Sequence, residues 1–339
     1  MRYLLFSVLL LVCGACSTGV RTDSGGTRAR TQVEGLERIR WGEVDSPDGS
    51  APTPRHEAAF VRVGTRAYLL GGRGIKPVDI YDLSSKTWSR GAPSPIEIHH
   101  FQPVVYNEEI YLMGAMTGPY PGELPLPEVY IYSPAKDAWR TGGELPPDRL
   151  RGGAGTVLVD DKIYLVCGIT DGHRGGHVPW LDVYTPQTGR WERLPDAPRP
   201  RDHFQTVHHD GKLYAAAGRT TVAATNPFAN TISEVDVYDI ASRTWTTLPA
   251  GLPTARAGNA ATVEGGHVLI LGGESTVHEV AHDEVEALDT ETGTWTALRP
   301  LSRGRHGTGV VHWAGGLLMA SGCGNRGGSP ELDDVIGTR

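Results

Sequence analysis

Five copies of one short pattern constrain this chain more than its composition does. The segments VDIYDLSSKTW, VYIYSPAKDAW, LDVYTPQTGRW, VDVYDIASRTW and VEALDTETGTW end on Trp88, Trp139, Trp191, Trp245 and Trp295. In each, a Tyr (Leu288 in the fifth) stands seven residues before the Trp, and alternating apolar residues precede a polar turn. Alternation, then a turn and an aromatic residue, predicts a β-hairpin. A second hairpin lies upstream of each and closes on a pair of small residues: AYLLGG, IYLMGA, IYLVCG, LYAAAG and VLILGG. The Trp-to-Trp spacings are 51, 52, 54 and 50 residues. A period near 50 marks a repeat architecture, in which each unit buries its faces only against its neighbours.

On these residues the chain resembles the kelch-repeat β-propellers of the galactose oxidase central-domain superfamily. The resemblance runs from about Gly35 to Arg339 and implies an all-β fold with four antiparallel strands per blade. After Trp295 come RHGTGVVHWAGGLLMASGCG and ELDDVIGTR, which read as three strands with no fourth. The missing strand stands at the other end, in RIRWGEVDSPDG around Trp41. Joining the two closes a ring of six blades and removes the exposed sheet edges.

The N-terminal MRYLLFSVLLLVCGACSTGV has one Arg, an apolar run too short to span a bilayer and then small residues, the layout of an export signal. VCGACS resembles the bacterial lipoprotein box and marks Cys16 as a lipidation site, with an ordinary secreted protein as the alternative. The expected organisation is a signal peptide over 1–15, a flexible Gly/Ser/Thr/Arg-rich tether over 16–34 and a propeller over 35–339. The expected location is the cell envelope, with contact to the membrane only through the lipid anchor. A net charge of −7 gives no electrostatic footprint for nucleic acid. Cleavage before Cys16 removes Cys13 and leaves the folded part only Cys167 and Cys323, so no disulfide framework holds the fold.

Sixteen residues before each small pair stand Arg55, Ile98, Arg151, Arg201, Arg256 and Arg305. In kelch propellers the first strand is innermost, so the resemblance puts these residues at the mouth of the central channel. His56, His99, His100, His203 and His306 follow in the next two positions. The loops after the small pairs are the long ones and overhang the same mouth, and such loops on a rigid scaffold carry function. The five Arg have two readings. They tie backbone carbonyls, or they form a positive funnel for a carboxylate, sulfate or phosphate. The second reading makes Arg55, His56, His99, His100, Arg151, Arg201, His203, Arg256, Arg305 and His306 ligand-binding. It gives a monomeric propeller an anionic small molecule, acidic glycan or acidic protein segment as partner.

Two enzymatic alternatives accompany this. The exported six-bladed sialic-acid mutarotases (N-acetylneuraminate epimerases) share the architecture and use Glu and Arg at the mouth. Glu274, directly after LILGG, is the matching catalytic candidate, although no Arg follows it in its loop. The second alternative is metal-dependent chemistry. His278-Glu-Val-Ala-His282 has the H-E-x-x-H letters of a zinc protease, but that motif needs a helix and a third ligand downstream. What survives is a two-His, one-carboxylate set of Glu274, His278 and His282 at four-residue spacing, suited to a divalent transition metal. No other cofactor is indicated. No phosphate-cradling loop, nucleophile elbow or dinucleotide fingerprint is present.

Overall fold

The computed structural model describes residues 35–220, 222–314 and 316–338. The signal segment 1–15, Cys16 and the tether 16–34 lie outside the described residues. Among those described, no helix is long and apolar enough to cross a membrane.

Six four-stranded antiparallel sheets make up the molecule. Blade one is Ala58–Val63, Arg66–Gly71, Pro77–Asp82 and Thr87–Pro93. Blades two to five repeat that order along the chain, and blade two carries an additional two-stranded ribbon, Met116–Thr117 with Leu124–Pro125. Blade six takes Val310–Trp313, Gly316–Ala320 and Val335–Thr338 from the C-terminal end and Trp41–Glu43 from the other. The closing register is Trp41↔Thr338, Gly42↔Gly337 and Glu43↔Ile336, so the ring shuts as the repeats predict.

The seven-residue Tyr–Trp spacing is a cross-strand pair. Tyr81, Tyr132, Tyr184 and Tyr238 stand opposite Trp88, Trp139, Trp191 and Trp245, with ring centroids 4.8–5.2 Å apart. Such pairs are the stabilising unit of a twisted sheet. Several of the indoles also reach back one blade. Trp191 Nε1 donates to Glu144 O at 2.8 Å and Trp245 Nε1 to Pro195 O at 2.8 Å. The apolar core is divided into six clusters, each lying between two neighbouring blades. The cluster between blades six and one, built on Phe60, Tyr81, Leu318 and Val335, seals the ring. Cys167 and Cys323 are free and buried, as small apolar residues would be.

The five arginines form the main correction to the sequence reading. Arg55, Arg151, Arg201, Arg256 and Arg305 are fully buried, so the ligand-binding role assigned to them fails on position. Their guanidinium groups turn into their own blades rather than toward the mouth. Each donates to the carbonyl sixteen residues on, at Gly71, Cys167, Ala217, Gly272 and Ser321, over 2.7–3.0 Å. Each also pairs with an acid on the third strand, Asp79, Asp182, Asp236 or Glu286, or in blade six with Asp334 directly before it. Blade two has Ile98 at the Arg position, with Tyr130 where the acid would be, and both join one apolar cluster. The tie is replaced there as a matched pair.

Arg201→Ala removes the buried partner of Asp236 Oδ2, while Arg199 and Thr247 still hold Oδ1, so it should cost about 1.5–3 kcal/mol of unfolding free energy, the scale of a lost bond to a charged group. The double change Arg201→Leu with Asp236→Leu should recover most of that loss in urea titrations. A loss for Arg201→Ala under about 1 kcal/mol, the scale of an exposed pair, would show that the guanidinium is not a structural tie.

Candidate functional site

The six first strands pack around the centre, and each is entered through a tight corner two residues after the Arg position. These corners are Glu57, His100, Gly153, His203, Gly258 and Gly307, all with φ between 53° and 66°. Three are glycines, for which this backbone is free of strain. The other three are a Glu and two His, for which it costs roughly 1–2 kcal/mol each. Their side chains point into the channel, where a small cavity of about 40 Å³ touches all six corners.

Above it opens a larger pocket of about 530 Å³. Its lining includes Glu57 and His100 from the corners, together with His56, Arg73, Tyr120, His173, Arg219, Phe228 and Glu274. The pocket is closed over by the long loops after the small pairs. Arg73, Arg219 and Glu274 each directly follow such a pair, and Arg219 and Glu274 form bridges back to Asp202 and Ala257 beside the corners. Phe228 lies between the guanidinium groups of Arg219 and Arg326, at 5.7 and 5.5 Å, a cation–π placement that fixes the ring at the pocket wall.

Two charged arrays meet at Glu57. On one side the His306 ring lies between two carboxylates, with Nε2 3.4 Å from Glu274 Oε2 and Nδ1 4.0 Å from Glu57 Oε1. Glu274 is also held by Arg219 Nη1 at 2.7 Å and by the Gly327 amide at 2.7 Å. Burial alone would hold His306 neutral, but Glu274 and, more weakly, Glu57 outweigh it and raise its pKa to about 9. Burial likewise opposes the charge on Glu57, yet the nearby His203, His306 and His56 hold its pKa down to about 2. On the other side, His100, His173 and His203 converge, and one nitrogen of each lies within 4.8 Å of the others. His203 Nδ1 bonds Asp202 Oδ2 at 2.6 Å. His173 Nδ1 lies 3.0 Å from Glu123 Oε1, out of good hydrogen-bond alignment. His100 Nδ1 meets His99 Nδ1 at 2.6 Å, and His99 Nε2 meets Gly118 O at 3.1 Å. Burial, aided by Arg73, lowers the His99 pKa to about 4 and so keeps this ring neutral.

Residues 103–322 match the KLHDC2/KLHL20/DRC7 Kelch-repeats domain. The chain belongs to the kelch-repeat family. It is 29% identical over 294 residues to Kelch-like protein terF of Aspergillus terreus, covering 79% of this chain and 61% of that protein. Alpha-scruin of Limulus polyphemus is 29% identical over 188 residues, covering 52% of this chain and 19% of its own length. Kelch-like protein 40 of Xenopus laevis is 28% identical over 162 residues, covering 46% and 25%. This kelch chain thus spans less than two thirds of the length of these relatives. The solved structure of YjhT superposes with a TM-score of 0.71 at 15% identity, over 86% of this chain and 99% of that one, a likeness of fold.

Of the residues expected at the kelch mouth, His56 and His100 line the large pocket and His203 lines the inner cavity. His99 and His306 are buried directly behind the lining. Glu274 is in the pocket wall, as expected of the catalytic candidate. The metal set Glu274, His278 and His282 is not assembled. Glu274 is drawn to Arg219 and His306, whereas His278 and His282 gather with Glu284 instead. The loop between them forms no helix, and His282 opens the third strand His282–Asp289 with its ring nitrogens on Ser275 Oγ and Glu284 Oε2. The sequence reading passed over Arg73 and Arg219. Their signal was the position directly after the small pair, which it used only for Glu274.

The His306 pKa is raised on folding, so its contribution to stability is complete below its ordinary value of 6.5 and is lost as pH rises through about 9. The Glu57 contribution is present above 4.5 and is lost as pH falls through about 2. Glu274→Gln should therefore move the His306 imidazole midpoint, followed by NMR, down toward 6.5. It should also flatten the loss of stability between pH 6.5 and 9. An unmoved midpoint would remove Glu274 as the charge that holds the proton.

Proposed function

We propose that this propeller binds a small, hydroxyl-rich organic molecule of the sugar or sugar-acid class in its mouth pocket. The observation that carries the reading is the composition of that pocket. Its 530 Å³ suits a molecule of one or two sugar rings. Its lining sets the apolar faces of Tyr120 and Phe228 beside the paired donors and acceptors of Arg73, Arg219, Glu57 and Glu274. An aromatic ring accepts the C–H face of a sugar, and a mixed Arg/Glu wall satisfies hydroxyls that both donate and accept. The anionic part of the expectation passes from the buried Arg ring to Arg73 and Arg219. Both already face carboxylates, Glu123 at 2.5 Å and Glu274 at 2.7 Å. A ligand carboxylate therefore meets a compensated wall rather than a positive funnel, and hydroxyl recognition dominates.

Calorimetric titration with a panel of neutral sugars and sugar acids tests this. Phe228→Ala should weaken the best binder by about 10-fold or more, equal to about 1.4 kcal/mol, with an unchanged melting temperature. Failure of the whole panel to bind below about 1 mM, or 4.1 kcal/mol, would sink the reading.

A second reading, proton transfer on the bound ring as in an epimerase or mutarotase, is favoured by the Glu274–His306 pair. A protonated imidazole beside a carboxylate supplies an acid and a base within one contact. In anomerisation the base removes the proton of the anomeric hydroxyl as the acid protonates the ring oxygen. The C–O bond opens to a carbonyl and recloses on the other face. NMR of sugar and sialic-acid anomerisation at micromolar protein should show acceleration that Glu274→Gln abolishes. An uncatalysed rate for every ligand that binds would leave a binding protein only.

A further inference from the structure

Three histidines from three successive blades come together beside the channel. His100 and His203 are corner residues of blades two and four, and His173 comes from the 3₁₀ turn Gly172–Arg174 in the loop of blade three. All three are buried. Their rings stand edge to face with centroids 5.2, 4.6 and 5.0 Å apart, an arrangement that brings the ring edges together.

The outer partners decide which nitrogen each ring turns inward. Asp202 takes the Nδ1 side of His203, which leaves Nε2 buried and without a partner. Glu123, held in turn by Arg73, takes the Nδ1 side of His173. Gly118 O can only accept, so His99 carries its proton on Nε2 and accepts at Nδ1 from His100. That leaves the Nε2 lone pair of His100, 3.4 Å from the Glu57 carboxylate. Three lone pairs and a carboxylate facing one another are mutually repulsive unless a proton or a metal cation lies among them. Outer acceptors that fix the tautomers of His203 and His100, with a carboxylate beside Nδ1 of His173, are the surroundings that metal-bound histidines have.

Two other clusters were weighed against this one. Glu274 and His306 Nε2 are engaged by Arg219, the Gly327 amide and the carbonyls of Asn325 and Gly327, and His306 Nδ1 faces Glu57 only at 4.0 Å. In the cluster of His278, His282 and Glu284, both nitrogens of His282 are engaged and His278 is exposed. Among the described residues, the three-His cluster is the one that brings three buried imidazoles together, with Nε2 of His203 unpartnered. It also uses two of the strained corners.

We propose that His100, His173 and His203 form a three-histidine site for a divalent transition-metal ion, zinc by preference, with its open coordination position toward the mouth pocket. Three imidazoles with a fourth position free is a known zinc geometry, in which nitrogens bind at about 2.0–2.1 Å. Loading therefore draws the rings inward from their present separation. His100 and His173 line the large pocket, so the open position would face a bound molecule. The site stands whether or not that molecule is a sugar.

The test uses the full chain without a His tag, stripped with chelator and then given zinc or cobalt alone. After gel filtration, one equivalent of metal should remain, and the cobalt form should show the visible absorption of a tetrahedral ion. His173→Ala removes a loop ligand and leaves the first-strand corners untouched. It should weaken metal binding beyond the roughly 10–100-fold that loss of an outer-shell partner causes. Asp202→Asn should fall within that range, and His278→Ala should change nothing. Retention of less than a tenth of an equivalent, unaltered affinity in His173→Ala, or loss confined to His278→Ala would each overturn the assignment. None of these readouts depends on the sugar titration, so the two readings fail separately.

Discussion

A closed circle of backbone hydrogen bonds at the channel holds every group at the mouth in place. The His100 amide donates to Glu57 O, Gly153 to His100 O, His203 to Gly153 O, Gly258 to His203 O and Gly307 to Gly258 O, over 2.7–3.1 Å. Ala58 N to Gly307 O, at 3.0 Å, completes the turn. A second set joins the same corners to their neighbours. The amides of Gly72, Gly168, Gly218, Gly273 and Gly322 each donate to the carbonyl that opens the next first strand. These glycines explain the small pairs, since a Cβ at Gly218 or Gly322 would stand within 2.8 Å of the carbonyl just before a corner, Asp202 O or His306 O. The Arg position thus works in both directions. In five blades its guanidinium braces its own blade, and at Arg55, Arg201, Arg256 and Arg305 its backbone carbonyl takes a bond from the preceding one.

This circle explains how unfavourable corners persist. A Glu or His in the left-handed region survives only where its surroundings over-determine the backbone. Here each corner donates or accepts around the ring. Glycine at Gly153, Gly258 and Gly307 shows what the backbone alone would choose. Glu57, His100 and His203 depart from that choice on the side where the His cluster and the carboxylates meet. Backbone strain placed at a binding surface is a common trade of stability for function.

Most of the scaffold was legible in the sequence because its determinants are local. A Tyr seven residues before a Trp is a cross-strand pair across a short turn, and four such pairs with Leu288–Trp295 as a fifth set the blade count apart from closure. Closure followed from unmatched strands at the two ends. The sixteen-residue offset of Arg201 from Ala217 was also visible, and it proved to be a hydrogen bond. Its direction was not legible from the offset alone. The missing signal was the acid two residues before each Tyr or its equivalent, as in Asp182 before Tyr184, which predicts an internal ion pair. Blade two, which lacks both Arg and acid, would have confirmed it. The site itself was less accessible. His100, His173 and His203 are separated by 73 and 30 residues, and only the circular arrangement of blades two, three and four brings them together. The letters of H-E-x-x-H are contiguous, yet the strand that begins at His282 pulls its two rings into local hydrogen bonds.

Glu57 joins the two halves of the mouth. Its carboxylate lies 3.4 Å from His100 on the three-histidine side and 4.0 Å from His306 on the acid–base side. A charge change in either half is therefore felt in the other through one buried group. A cation among the histidines would draw Glu57 toward it and weaken its hold on the His306 proton. The imidazole would then depend on Glu274, which Arg219 and the Gly327 amide already keep ionised. In such an arrangement the metal would set how readily His306 gives up its proton to whatever occupies the pocket, without touching it. The fold makes that coupling short, because the ring fixes Glu57 at one corner with no rotation of the backbone left to it.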